Sequence, residues 1–286
     1  MSLGFLRAGI TIAAAYDNWK PAISTYAANF NHPIFELDLA NVDEVVSHVK
    51  SQNSQPGLIL GGPPCQDFSL ANNRKTKARA NLTISFAQIA IAIRPSLIVM
   101  ENVYKIEGTS HISKLREILS SEGYGISSAI IDASRVGVPQ MRRRFFLVAS
   151  LDHPDGAFED QLKAGLSDQR TTVRDYFGNR LPLEYYYAHP RNYLRRGIFS
   201  VDEPAATIRR VNRPLPKNYR KHPADKADPS PALRALTTTE RAELQTFPAD
   251  FFFSGSGSER EQQIGNAVPV KLAEYVARAV LAVKRP

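Results

Sequence analysis

Residues 57–69 read Gly-Leu-Ile-Leu-Gly-Gly-Pro-Pro-Cys-Gln-Asp-Phe-Ser, and Cys65 among them is the single cysteine in 286 residues. An apolar run that ends in two glycines, two prolines and a thiol reads as a strand delivering a nucleophile onto a stiff loop. Glycine permits the tight turn and close backbone approach, while proline fixes φ and restrains the loop. At the carboxyl end of a buried strand the thiol sits where open α/β sheets carry their chemistry. Cysteine alone reads as a small buried hydrophobe; the Pro-Pro-Cys-Gln context turns the reading towards a nucleophile. A second reactive group follows the buried run Ser96-Leu97-Ile98-Val99-Met100, where Glu101 should reach the same sheet edge. Arg142 and Arg144 alternate, so in a strand they face one side. Their plain alternatives are a solvated strand-end acid and a solvated basic edge strand.

These residues need a scaffold, and residues 1–150 supply its pattern. Short apolar runs alternate with helical stretches, which predicts a doubly wound, mostly parallel α/β sheet with helices on both faces. Strands are expected at Ile10–Tyr16, Phe35–Leu37, Leu58–Leu60, Leu97–Glu101, Ser127–Ala133 and Arg144–Ser150. Helices are expected at Pro21–Asn29, Val42–Lys50, Leu82–Ile93 and Ile112–Ser121. From 151 to 233 periodicity fades and proline, tyrosine and arginine rise, which marks a smaller second domain or a long functional insertion. From Thr237 a hydroxyl cap with Glu240 three residues on announces another helix. A Gly/Ser-rich link at Ser254–Ser258 then precedes Gly265-Asn266-Ala267-Val268-Pro269 and a terminal amphipathic helix, Val270–Lys284. The expected division is therefore 1–150, 151–233 and 234–286.

Composition narrows the partners. A hydrophobic content of 43% is ordinary for a globular chain. No apolar run is long enough to span a membrane, and the N-terminus lacks a signal-peptide pattern. One cysteine excludes an intrachain disulfide. The net charge is +8. Between Arg170 and Lys221 there are twelve Lys/Arg against four acids, interleaved with Tyr176, Phe177, Tyr185, Tyr186, Tyr187, Tyr193, Phe199 and Tyr219. That composition suits a nucleic-acid surface; a basic, loop-rich insertion without a partner is the alternative.

Four blocks occur in order: Gly61-Gly62-Pro63-Pro64-Cys65-Gln66-Asp67-Phe68-Ser69, Glu101-Asn102-Val103, Gln140-Met141-Arg142-Arg143-Arg144 and Gly265-Asn266-Ala267-Val268-Pro269. Together, with a variable basic segment before the last, they resemble the DNA (cytosine-5)-methyltransferases, especially the short bacterial enzymes of restriction–modification systems. The resemblance covers nearly the whole chain. It implies a Rossmann-like fold that uses S-adenosylmethionine, with 1–150 catalytic, 151–233 reading the DNA target and 234–286 packing back on the catalytic domain.

The implied chemistry explains the residue types. Carbon 5 of cytosine is too weak a nucleophile to take a methyl group unaided, and a thiolate adding at carbon 6 makes it enamine-like. The resemblance gives Cys65 that role, and it gives Glu101 proton donation or strong hydrogen bonding at ring N3. Arg144, helped by Arg142, is placed near the ring, with Gln140 supporting the loop and counted among the DNA-facing residues. Asn266 is implied to hold the loop bearing Gln66 and Ser69 and to shape the cofactor side. For the cofactor, Asp17 is expected at the ribose hydroxyls, Asn18 over the adenine and Asp38 at its amine, with Pro63 contributing backbone. A cytosine within a duplex must be flipped out to meet the thiol. Glu203-Pro204-Ala205-Ala206-Thr207-Ile208 resembles the family's Pro-x-x-Thr-Ile element, which puts Thr207 near the flipped nucleotide's backbone. Arg209, Arg210 and Arg213 are candidates for phosphate or guanine contact. The implied partner is double-stranded DNA, together with a cognate restriction endonuclease in function rather than contact. No metal is expected, and a bacterial cytoplasmic monomer is the default.

Two departures stand out. Residues 1–9 resemble only the end of the family's first block, so the first strand and its cofactor-cradling glycine loop are missing from this sequence. Weak cofactor binding is the expectation, and a catalytically impaired, truncated remnant that only binds DNA is the alternative function. In addition, Lys77 stands where the family has an acid in an Asp-x-Arg-x-x-Leu element. The tRNA-methylating branch of the family carries a Cys-Phe-Thr element, whereas this chain has no second cysteine. A cysteine hydrolase would need a histidine base, and none of the six histidines sits in a partner motif.

Overall fold

The computed structural model describes residues 1–52, 55–64, 82–190, 192 and 194–284. The chain begins with helix α1 (Ser2–Arg7), strand β1 (Ala15–Asp17), α2 (Lys20–Asn29), β2 (Ile34–Glu36), α3 (Val42–Ser51) and β3 (Leu58–Gly61). It continues through α4 (Leu82–Ile93), β4 (Leu97–Val103), α5 (Ser110–Ser121), β5 (Gly125–Asp132) and β6 (Arg143–Ser150). Beyond these lie α6 (Glu159–Ala164), α7 (Val173–Phe177), β7 (Tyr185–Tyr187), β8 (Ile198–Ser200), α8 (Thr238–Leu244), α9 (Gly257–Asn266) and α10 (Val270–Ala282).

Strand alternation builds the catalytic half. In β4, Val99 faces one hydrophobic cluster while Ile98 and Met100 face another. In β6, Phe146 and Val148 join the first cluster, and Phe145, Leu147 and Ala149 join the second. Successive strand side chains point to opposite faces, so both faces of this sheet require cover. One face receives α10 through Leu272, Ala273, Val276 and Val280, with Phe5 of α1 beside them. The other receives α4 through Phe86, Ala87 and Ala90, and α5 through Ile112, Leu115 and Leu119. This is the doubly wound α/β arrangement that the periodicity predicts.

Strand order adds detail that the apolar pattern does not carry. The larger sheet runs β3-β4-β6-β5, and β1-β2 forms a separate two-stranded sheet. β1·β2 and β3·β4 are parallel, whereas β6 is antiparallel to both β4 and β5. β1 occupies only the end of the expected Ile10–Tyr16 run. Residues 2–7, which lie within the partial first block, form a helix because Phe5 buries completely against α10. The Ser254–Ser258 link is also shorter than expected. Ser256 and Glu259 close a capping box that starts α9 at Gly257.

A third cluster gathers Val173, Phe177, Tyr186, Phe199, Val201, Ala205 and Ile208 with Leu236, Ala242, Leu244 and Ile264. It therefore crosses the expected boundary at 233/234. Phe158 and Leu162 instead belong with α10 and the catalytic sheet, so the stretch just after 150 packs with the first half. Apolar contact, rather than the shift in composition, sets these limits. Among the described residues no helix is long and apolar enough to cross a membrane.

Candidate active site

β3 and β4 run in parallel register with Gly61 opposite Met100, so Gly62 and Pro63 emerge beside Glu101 and Asn102. Asn102 donates from Nδ2 to the Pro63 carbonyl at 2.9 Å and accepts at Oδ1 from the Val103 N–H at 2.8 Å. The amide thereby ties the Gly-Gly-Pro-Pro run to the end of β4. Close approach also explains the glycines. A Cβ on Gly61 would lie 2.5 Å from the Phe86 ring, and one on Gly62 would lie 3.3 Å from Glu101 Oε2. The described chain reaches Pro64; Cys65, Gln66 and Ser69 lie outside the described residues.

Arg144 reaches Glu101 across the β4·β6 pairing, where Val103 opposes Arg144. Its Nε lies 2.9 Å from Glu101 Oε1, and only 12% and 11% of the two side chains are exposed. Burial pushes the Glu101 pKa up from 4.5, opposed by the charges of Arg144 and Arg142. Burial pulls Arg144 down, and Glu101 opposes that shift. The result is a carboxyl group disposed to hold a proton, aimed by an arginine and set against the loop that leads to the thiol.

The neighbouring block differs from expectation. Arg142 is 1% exposed and donates from Nη1 to the Ile208 carbonyl and from Nη2 to those of Gly265 and Ala267, each at 2.9 Å. Both Nη atoms are spent on backbone acceptors while Nε is buried without a partner, so the side chain staples three segments instead of pointing with Arg144 at a substrate. Gln140 is also corrected from a DNA-facing residue to an interior one. It is fully buried, donates to Gln245 Oε1 and accepts the Ile208 N–H, both at 2.9 Å.

The expected cofactor residues fall at strand ends. Asp17 closes β1 and pairs with Glu36 of β2, so Asp17 and Asp38 leave the carboxyl ends of adjacent parallel strands. Burial raises the Asp17 pKa, opposed by the N–H groups of Trp19 and Asn18, the former 2.8 Å from Oδ1. Asp38 accepts from Ala40 N at 2.9 Å. Asn18 is exposed beside them, and Pro63 is buried. Two carboxylates at neighbouring strand ends fit the nucleoside part of S-adenosylmethionine, whose hydroxyls and amine are donors. Asn266 ends α9 exposed, and the loop it is expected to hold lies outside the described residues.

In the basic region Thr207 is exposed and donates from Oγ1 to the Met141 carbonyl at 2.6 Å. Arg209 donates to the His189 carbonyl, while Arg210 and Arg213 are exposed. Gln245 and the buried Arg241–Glu261 pair, whose atoms approach to 2.7 Å, carry no local sequence signal. The Thr237/Glu240 box marks α8, which carries Arg241 and ends just before Gln245, whereas Glu261 lies on α9, and no local pattern shows their partners.

The family model of the C-5 cytosine-specific DNA methylases matches residues 1–282. The chain belongs to this family. The methylase is 52% identical to the Type II methyltransferase M.HgiDI of Herpetosiphon aurantiacus, an alignment covering 99% of this chain and 91% of the relative. It is also 52% identical to the Type II methyltransferase M.HindV of Haemophilus influenzae, over 98% of this chain and 92% of the relative. Among solved structures, the S. pombe Dnmt2 methyltransferase superposes with a TM-score of 0.70 at 18% identity, covering 98% of this chain and 94% of that one. That similarity concerns the fold. The family assignment makes the methylase a DNA (cytosine-5) methyltransferase and agrees with the order of the four blocks in the sequence.

Proposed function

We propose that the methylase transfers a methyl group from S-adenosylmethionine to carbon 5 of a flipped-out cytosine in a specific duplex DNA sequence. Both aligned relatives carry the name Type II methyltransferase, which supports a role in a restriction–modification system. In this reading the Cys65 thiolate bonds to carbon 6 of the ring. Glu101 gives its proton to N3 as negative charge builds there, and Arg144 holds the carboxyl in place. Asp17 and Asp38 bind the nucleoside of the cofactor, which supplies an electrophilic methyl group when bound. A base takes the carbon 5 proton, the thiolate departs from carbon 6 and the N3 proton returns to Glu101, which restores the aromatic ring.

The basic segment 151–233 acts in this reading as the target-recognition region, with Arg210 and Arg213 directed to DNA. The observation that carries the reading is the buried Glu101–Arg144 pair over Gly62, three residues before Cys65. A carboxyl that must stay protonated requires a dry pocket, and a loop glycine that admits it has no purpose in a solvated strand end. The test is methyl transfer from labelled S-adenosylmethionine to unmethylated DNA, with bisulfite sequencing to locate the product. Activity confined to cytosine C5 and abolished in Cys65→Ser is the expected result. Transfer that survives Cys65→Ser would refute the covalent route.

A further inference from the structure

The segment 207–213, which bears Arg209, Arg210 and Arg213, is tied down by hydrogen bonds at Thr207, Ile208, Arg209 and Asn212. Thr207 donates to the Met141 carbonyl at 2.6 Å. The Ile208 N–H donates to Gln140 Oε1, and the Ile208 carbonyl accepts from Arg142, both at 2.9 Å. The Arg209 carbonyl accepts from Arg241 Nη2 at 2.5 Å, and Asn212 Nδ2 donates to the Leu236 carbonyl at 2.8 Å. Gly265 lies directly beneath: a Cβ there would come within 2.5 Å of Arg209 C and Arg210 N. The strap thus rests on bare backbone at the end of α9.

Gln245 joins one of this strap's anchors, Gln140, to the helices behind it. Gln245 is fully buried, accepts from Gln140 Nε2 at 2.9 Å and donates to the Ile264 carbonyl at 2.6 Å. Its own carbonyl accepts the N–H of Val270, the first residue of α10, at 3.0 Å. Three segments meet on it: the entrance to β6 that carries Arg144, the end of α9 under the strap, and the helix packed on the catalytic sheet. The amides of Gln140 and Gln245 both have partners, whereas Nε of the neighbouring Arg142 is buried without one; buried amides paired in this way resist displacement. Base reading by an arginine fork depends on such fixed placement.

We propose that Gln245 is a positioning residue for target discrimination, holding the α8–α9 corner that backs the 207–213 strap against the entrance to β6. The inference rests on the reading of the chain as a sequence-specific DNA methyltransferase. The strap keeps its direct bonds to Gln140, Met141 and Arg142, but losing the Gln140–Gln245 hydrogen bond loosens the α8–α9 corner that backs it through Arg241 and Gly265, so Arg210 and Arg213 meet neighbouring base pairs with less penalty. Glu101 and Arg144, held by other contacts, remain in place.

The experiment methylates unmethylated bacterial genomic DNA with wild type, Gln245→Ala and Gln140→Glu. The second variant keeps an acceptor for the Ile208 N–H and replaces the amide donor to Gln245 with a carboxyl group, so its discrimination is followed with rising pH to separate a protonated carboxyl, which still donates, from an ionised one, which does not. Bisulfite sequencing gives the ratio of methylation at sites altered by one base pair to that at the target. Both variants are expected to raise this ratio about tenfold, a substantial part of the discrimination one base pair normally supplies. The double variant should raise it no further, since both changes cut one link. A purely structural role would lower melting temperature and active fraction while leaving the ratio unchanged, and that result overturns the proposal. Should Gln245→Ala fail to fold, Gln140→Glu decides by the same ratio. Absence of C5 methylation by wild type would instead overturn the underlying functional reading.

Discussion

Arg144 and Glu101 face each other from antiparallel neighbours, with Nε and Oε1 2.9 Å apart and both side chains largely buried. Burial and ion pairing oppose each other at this site. Burial is the largest cause acting on both groups, and it favours the neutral carboxyl. Because the folded pKa of Glu101 lies above 4.5, the folded protein holds a proton that the unfolded chain has released. Stability must therefore fall as pH rises through the window from 4.5 to the folded value. Glu101→Gln has no proton to lose, so its stability relative to wild type should improve as pH rises through that window. Urea unfolding at a series of pH values measures this, and parallel curves would refute it. The same variant should lose on the order of 10²–10⁴ in kcat while still binding DNA, since it keeps the shape and discards the acid.

The clamp at Arg142 predicts a different pattern. Three carbonyls from residues 66, 123 and 125 positions away converge on one guanidinium. Lysine keeps the charge but lacks the planar fork. Arg142→Lys should cost about 2 kcal/mol of stability through carbonyls left without a donor. Its KM for DNA at permissive temperature should change little. A DNA-contacting Arg142 would give the opposite result: unchanged melting with a raised KM.

The partners of Arg142 also mark how far the sequence could be read. Gly-Gly-Pro-Pro-Cys, Glu-Asn-Val and Gln-x-Arg-x-Arg are local patterns, and the strands that deliver Pro63, Glu101 and Arg144 follow from apolar runs bounded by turn residues. Helices α2 to α5 follow in the same way from their periodicity. Strand direction leaves burial unchanged, so the antiparallel β6 carries no signature in its residues. Gln140, Arg142 and Gln245 belong to residue types that are usually exposed. Their burial is set by partners far along the chain, which no local window contains. α9 had a legible start in Ser256 and Glu259, but its Gly/Ser neighbours read as a link.

The cofactor end predicts a separable effect. Asp17 ends β1 and Asp38 lies just beyond β2, at one end of the small sheet and apart from the strands that carry Glu101 and Arg144. Asp17→Ala should weaken binding of S-adenosylhomocysteine about tenfold by calorimetry, the loss of one or two hydrogen bonds to a carboxylate. Affinity for DNA in the absence of cofactor should be unchanged. Equal losses in both would show that Asp17 supports the fold instead of the nucleoside.

Arg210 and Arg213 divide two modes of recognition. Both are exposed on a strap whose backbone is fixed, whereas Arg209 spends a guanidinium N–H on the His189 carbonyl. If either arginine neutralises a phosphate, its change to Gln lowers the slope of log affinity against log salt by about 1 and weakens all sequences alike. If it forks onto a guanine, the salt slope changes little and methylation relaxes at a single position of the target. The rigid seat of the strap favours the second outcome for at least one of them, because a phosphate contact tolerates displacement and a base fork does not. Filter binding across a salt series, paired with bisulfite profiles of Arg210→Gln and Arg213→Gln, separates the modes. Two variants with lowered slopes and unaltered target profiles would place base reading elsewhere in the basic segment.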